Sequence, residues 1–215
     1  NIAGDDYTEY QSSTDLNGEI GKPYSAEPIT IPGFDFKCGK VGDTETALAE
    51  GKLTANVTAE GLVLNLYYDR IEYPYEFRFV EKDSDPEKQL ADSVTGSARY
   101  QAQVTQNAKD IPGYTLVSTE NQAIHIDIED GTTAVKNVKT FYYTEQTVDI
   151  TYEVVGPDGC GTLDNYQENQ LKVTTGEVIG SLPTAAEGFK FVGWYKDEAC
   201  TEHVDKAWVD ADNKL

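Results

Sequence analysis

The chain has no methionine, two histidines, two tryptophans and three cysteines among 215 residues. With so few histidines, a Ser-His-Asp arrangement would have to recruit His125 or His203. No Gly-x-Ser-x-Gly elbow accompanies either of them. No phosphate-cradling glycine loop of the G-x-x-x-x-G-K-[ST] or G-x-G-x-x-G type occurs. No run approaches the 18 apolar residues of a membrane-spanning helix. A secretory leader is also missing: Asn1-Ile2-Ala3-Gly4 runs straight into acidic residues, so the chain reads as a piece of a longer protein. Positive charge is scarce, 17 Lys and Arg against 38 Asp and Glu, for a net charge of −21. Such a surface repels a phosphate backbone and disfavours an anionic bilayer, which excludes nucleic acid and membrane insertion. Partners are expected to be neutral, basic or bridged by divalent cations, and the charge itself serves solubility.

What is present is aromatic and periodic. Fourteen tyrosines and seven phenylalanines exceed what a disordered chain carries, although the hydrophobic fraction is only 39%. Ile31-Pro32-Gly33-Phe34 recurs as Ile111-Pro112-Gly113-Tyr114, and more loosely as Ala186-Glu187-Gly188-Phe189. The glycines lie 80 and then 75 residues apart. A second landmark, the apolar segment ending in Tyr67-Tyr68, returns 75 residues later at Tyr142-Tyr143. Two landmarks with nearly one offset define a tandem array. Its expected modules are 1–70, 71–146 and 147–215, with net charges of −7, −6 and −8. The joints Asp69-Arg70-Ile71-Glu72 and Thr144-Glu145-Gln146-Thr147 hold no Gly/Ser spacer, so modules abut with restricted freedom.

Within modules the hydrophobic period is two. Tyr73–Val80, Val148–Val154 and Ile124–Ile128 alternate as half-buried strands, the last ended by the turn signal Glu129-Asp130-Gly131. A weaker opening strand is expected over Tyr7–Gln11. Short helical turns are expected over 44–50, closed by Gly51, and over 104–110, stopped by Pro112. In each Pro-Gly pair, proline presets φ and glycine admits positive φ, which specifies a tight turn. Modules one and two close with a Tyr-Tyr strand, whereas 147–215 shows none, so its closing strand is expected beyond Leu215 with a sheet edge left open.

The Ile-Pro-Gly-aromatic segment lies between a glycine-bearing approach (Gly18–Lys22, Thr95-Gly96-Ser97) and the Tyr-Tyr strand. This arrangement resembles the mucin-binding-protein (MucBP) type repeat. The run Gly188-Phe189-Lys190-Phe191-Val192-Gly193-Trp194-Tyr195-Lys196-Asp197-Glu198-Ala199-Cys200 is similar to the signature of the internalin-type B-repeat. The resemblance implies small β-grasp-like (ubiquitin-like) modules strung along cell-wall-anchored surface proteins of Gram-positive bacteria. It also implies adhesion or spacing without catalysis, and for some repeats the binding of mucin glycans. The wall-anchoring Leu-Pro-x-Thr-Gly is absent, since Leu182-Pro183-Thr184 is followed by Ala185.

Candidate site residues are few. Tyr67, Tyr68, Tyr142, Tyr143, Trp194 and Tyr195 have ring faces able to stack on sugars. In an alternating strand one tyrosine of each pair faces the core, and cross-strand packing is the competing role. Tyr68, Tyr143, Trp194 and Tyr195 are taken as the ligand-contact candidates. Cys160 and Cys200 both fall in 147–215: bonded, they would close a loop of about 40 residues, a stabilisation of roughly 4 kcal/mol; unbonded, they are small hydrophobes. Cys38 has no partner in its module. Cys200 and His203 supply half a zinc site without a second ligand pair. Asp83-Ser84-Asp85 and Asp127–Gly131 cluster oxygens without completing a calcium loop. The expectation is therefore a mainly β (α+β) elongated array of three modules, monomeric and extracellular at the cell wall. It is non-catalytic, without metal or cofactor. It acts as stalk or spacer of an adhesin, with direct binding of mucin or another host glycoprotein as the alternative.

Overall fold

The computed structural model describes residues 7–10, 17–128, 137–212 and 214–215. The protein is mainly β. Among the described residues its only helical element is the 3-10 turn Lys206–Trp208, so no sheet has an α-helix to enclose. The chain divides into two compact units: Asn1–Val80, Asp85–Lys109 and Ser118–Tyr142 form the first, and Glu81–Ser84, Asp110–Val117 and Tyr143–Leu215 the second.

In the first unit, β1 (Pro23–Ala26) pairs antiparallel with β4 (Leu53–Asn56). The sheet β3-β2-β5 is built from β2 (Phe34–Val41), β3 (Thr44–Thr46) and β5 (Leu64–Arg70). Thr44–Thr46 is thus a strand, not the expected helical turn. Gly42 at φ +57 reverses the chain, and the backbone pairing of Thr44–Thr46 with Gly39–Val41 outweighs a weak helical tendency. The same correction holds for β8 (Gln103–Asn107), which pairs with β10 (Asn121–His125) and sets Val104 opposite Ile124. Its β-branched Val104 and Thr105 favour the extended backbone. Tyr7–Tyr10, expected to open a strand, joins no ladder. Instead Tyr7 packs its ring edge-on to Tyr67, with centroids 5.0 Å apart, and donates its hydroxyl to Asp69. The turn signal at 129–131 lies outside the described residues.

The aromatic alternation of Tyr73–Val80 becomes β6 (Glu72–Glu81), paired with β7 (Gln89–Arg99). Period two sends Phe77 and Phe79 inward, where both are fully buried. Phe141, on β11 (Val138–Glu145), stacks on Phe79 at 5.2 Å and lies 6.3 Å from Phe77. Val80, Ala102, Ile124 and Ile126 are buried in the same region.

In the second unit, β9 (Tyr114–Leu116) pairs with Tyr143–Glu145 of β11, and β12 (Thr147–Thr151) with β14 (Gln167–Lys172). β13 (Gly161–Leu163) pairs with β15 (Pro183–Ala185). Strand β11 alternates cleanly: Phe141, Tyr143 and Glu145 are buried, Tyr142 and Thr144 exposed. A glutamate on the inner face needs donors, and four reach it. The Thr174 and Thr175 amides and the Thr174 hydroxyl donate to Oε1 at 2.7, 2.7 and 2.6 Å, and the Thr175 hydroxyl to Oε2 at 2.7 Å. Burial alone would raise this carboxyl. The four hydrogen bonds outweigh burial and hold it at about 2.

Two expectations follow. Phe141→Ala should cost about 3–5 kcal/mol of unfolding free energy in urea titration, because it opens a cavity against two buried rings. Glu145→Gln accepts through one oxygen only, leaves donors short of partners, and should cost about 1–3 kcal/mol. That difference is complete above the carboxyl's ordinary value of 4.5 and is lost as pH falls through about 2, where the wild-type group is neutral too. Paired urea titrations across that range check the sign.

Candidate binding cleft

The second unit holds a cleft of about 440 Å³. A chain of contacts starting at a buried carboxylate builds it. Glu168 on β14 is buried and accepts from the Tyr152 hydroxyl at 2.6 Å and from the Ile179 and Gly180 amides at 2.9 Å. Burial opposes its charge, but these donors prevail and its carboxyl lies below the ordinary range. The Tyr152 phenol is pushed up, first by burial and then by its bond to Glu168. With its hydroxyl so anchored, Tyr152 meets Trp194 edge-on at 5.8 Å, and Phe191 packs edge-on to Trp194 at 5.6 Å. The backbone is fixed as well: Val204 donates to the Trp194 carbonyl at 3.0 Å, and Tyr195 bridges to His203, whose ring lies 4.2 Å away.

Trp194 and Tyr195 line the cleft with Phe189 and Phe191. β13 and β15 supply Leu163 and Pro183, and the segment before β13 supplies Val154 and Val155. Phe189 and Val155 are exposed. Carboxylates stand at Glu153 and Asp197. Asp197 is held by the Glu202 amide at 2.7 Å and by the Thr201 hydroxyl at 2.8 Å, which lower its pKa. Lys190 also lines the cleft, so ring faces bordered by charges of both signs suit non-covalent capture of a ligand with an apolar face.

The remaining candidates do not converge here. Tyr143 is only 1% exposed and belongs to the core, a correction to its reading as a ligand contact; its neighbour Tyr142, at 44%, is the one open to solvent. The alternation of β11 decides which tyrosine points out. Tyr68 is half-buried, packs edge-on to Phe36 at 5.7 Å, and accepts from the Ile29 amide at 2.9 Å. Tyr67 lies against Tyr7, with the Lys40 ammonium 4.9 Å from its ring centroid. Cys160 and Cys200 both line the cleft, and they and Cys38 are free thiols in this structure. His125 is exposed on β10. Among the described residues no three His, Cys, Asp or Glu side chains are grouped to hold a metal ion. Sequence reading missed Tyr152 and Glu168, whose roles arise from long-range contacts. Phe189 and Phe191 were visible as part of one aromatic run.

The MucBP domain model matches residues 4–69 and again 78–153. The chain belongs to the MucBP domain family. No curated protein matches it. The two MucBP copies contain both Ile-Pro-Gly turns and both Tyr-Tyr strands. MucBP domains occur in surface proteins and mark a mucin-binding or surface-adhesin repeat region; the family is one of repeat and binding domains, not of enzymes. No described helix is long and apolar enough to cross a membrane. The cleft, apart from Glu153, lies outside the MucBP matches and rests on its own geometry.

Thiol titration of the unfolded, unreduced protein should count three reactive groups. A count of one would place a Cys160–Cys200 bond across the cleft and contradict the free pair.

Proposed function

We propose that this chain is a non-catalytic repeat region of a cell-surface adhesin, acting as stalk or spacer. The observation that carries the reading is the brevity of the connections: one residue, Ile71, separates β5 from β6, and one residue, Gln146, separates β11 from β12. A one-residue link has none of the freedom of a Gly/Ser tether. The near-even distribution of acidity along the chain supports the same role, since like-charged repeats resist collapse onto one another. On this reading the modules are 1–70, 71–146 and 147–215, of β-grasp-like ancestry, the third an internalin-type B-repeat. The protein is extracellular, associated with the cell wall of a Gram-positive bacterium, and monomeric.

The second reading is direct binding of mucin or another host glycoprotein, and the cleft favours it. Trp194 and Tyr195 offer ring faces of the kind that stack on sugars. Titration of the whole chain onto immobilised mucin at physiological salt, with calcium and with EDTA, separates the two. The spacer reading expects no saturation in either condition and no change in Trp194→Ala. Saturable binding abolished by Trp194→Ala would overturn it in favour of the cleft, and further loss in EDTA would bring the acidic turns into the site.

A further inference from the structure

The three Pro-Gly-type turns share one conformation. Phe34 donates to the Ile31 carbonyl at 3.0 Å, Tyr114 to Ile111 at 3.1 Å, and Phe189 to Ala186 at 3.0 Å. Their glycines have φ of +80°, +80° and +86°. This is the type II turn, whose third position favours glycine. Their surroundings differ. A Cβ on Gly33 would run into the Tyr100 ring, and a Cβ on Gly113 would lie 2.5 Å from Thr174 Cγ2. A Cβ on Gly188 would meet nothing within 4 Å. The turn alone therefore asks for glycine at all three places, and close packing asks for it again at two.

Those two places flank the link residues. Ile71 donates its N–H to the Gly33 carbonyl at 2.9 Å and accepts from the Tyr100 amide at 2.8 Å. Gln146 donates to the Gly113 carbonyl at 2.8 Å and accepts from the Val173 amide at 3.0 Å. The pattern is the same in both. Gly33 and Gly113 continue the ladders that end at Phe34–Arg70 and Tyr114–Glu145. Tyr100 and Val173 continue the ladders that begin at Glu72–Arg99 and Thr147–Lys172. The N–H and C=O of one extended residue point the same way, so the end of one ladder and the start of the next must crowd together beside it. The missing side chain of glycine makes that room.

We propose that the Ile-Pro-Gly turn is the interlock between successive repeats: its glycine carbonyl receives the link residue's N–H, and its bare Cα is the socket that the next repeat fills, with Tyr100 at the first joint and Thr174 at the second. The proposal rests on the repeat boundaries of the spacer reading and adds what holds them. Side chains reinforce each joint differently. Arg70 reaches Gln101 at 3.5 Å and Phe34 packs edge-on to Tyr100 at 5.8 Å at the first joint. At the second, Thr174 and Thr175 donate to Glu145, and Tyr114 shares a hydroxyl contact of 3.3 Å with Thr174.

Gly188 is the built-in control, because Gly188→Ala meets only the φ penalty. Urea titrations of Gly113→Ala, Gly188→Ala, Thr174→Ala and the Gly113→Ala/Thr174→Ala pair form a double-mutant cycle. Gly113→Ala should lower the folding constant at least tenfold more than Gly188→Ala does, and Thr174→Ala should recover most of that excess. Equal penalties at the two glycines, or an unchanged Gly113→Ala penalty in the Thr174→Ala background, would overturn the proposal. If Gly113→Ala fails to fold, the paired variant must fold, and its failure counts against the interlock. The mucin titration probes the spacer reading separately: coupling with saturable mucin binding removes only that reading, and absence of both removes only the interlock.

Discussion

Two backbone groups on one residue set the character of this chain. Ile71 and Gln146 each give their N–H to the strand ladder behind and their C=O to the ladder ahead. A residue so placed has no spare torsion: rotating either side of it breaks a bond to one ladder or the other. A second strand end must then fit within a few ångströms of the first, which restricts the adjoining turn to glycine. The Ile-Pro-Gly repeat and the Tyr-Tyr strand, far apart in sequence, are two halves of this arrangement.

An acidic protein has few cations with which to bury charge. With 17 basic residues for 38 acidic ones, salt bridges cannot neutralise every carboxylate. Among the described residues, the two buried glutamates rely mainly on neutral donors instead. Glu145 takes amides and hydroxyls of Thr174 and Thr175, with the Lys172 ammonium 3.8 Å away, and Glu168 takes a phenol and two amides. Dipoles aimed at a carboxylate stabilise its charge while adding no net positive charge. Each such hub organises what lies around it. Glu145 gathers the Thr174-Thr175 turn, and Glu168 sets Tyr152 and through it Trp194.

Much of the backbone design was legible because it is written with short periods. The alternation over Tyr73–Val80, the strand ending in Tyr142-Tyr143 and the Pro-Gly turns depend on neighbours in sequence, and the structure has strands and turns there. Strands β3 and β8 fall where the sequence predicts helical turns, because their pairing partners, not their own propensities, make them extended. In the described part of the expected opening strand, Tyr7–Tyr10, the opposite holds: Tyr7 finds a ring and a carboxylate rather than a ladder. The cleft was half visible. Trp194 and Tyr195 announced themselves as aromatics, whereas Glu168 and Tyr152 are defined by contacts with residues far along the chain. Tyr143 shows the limit of composition: a ring that can stack on a sugar is here part of the core.

Residue-resolved amide hydrogen exchange of the unmodified protein reads the link residues directly. If each is held from both sides, the Ile71 and Gln146 amides should exchange as slowly as amides within β6 and β11, although Gln146 has an exposed side chain. Exchange at the rate of an open turn, with the flanking strands still protected, would show that the ladders end before the joint and that the repeats are merely tethered.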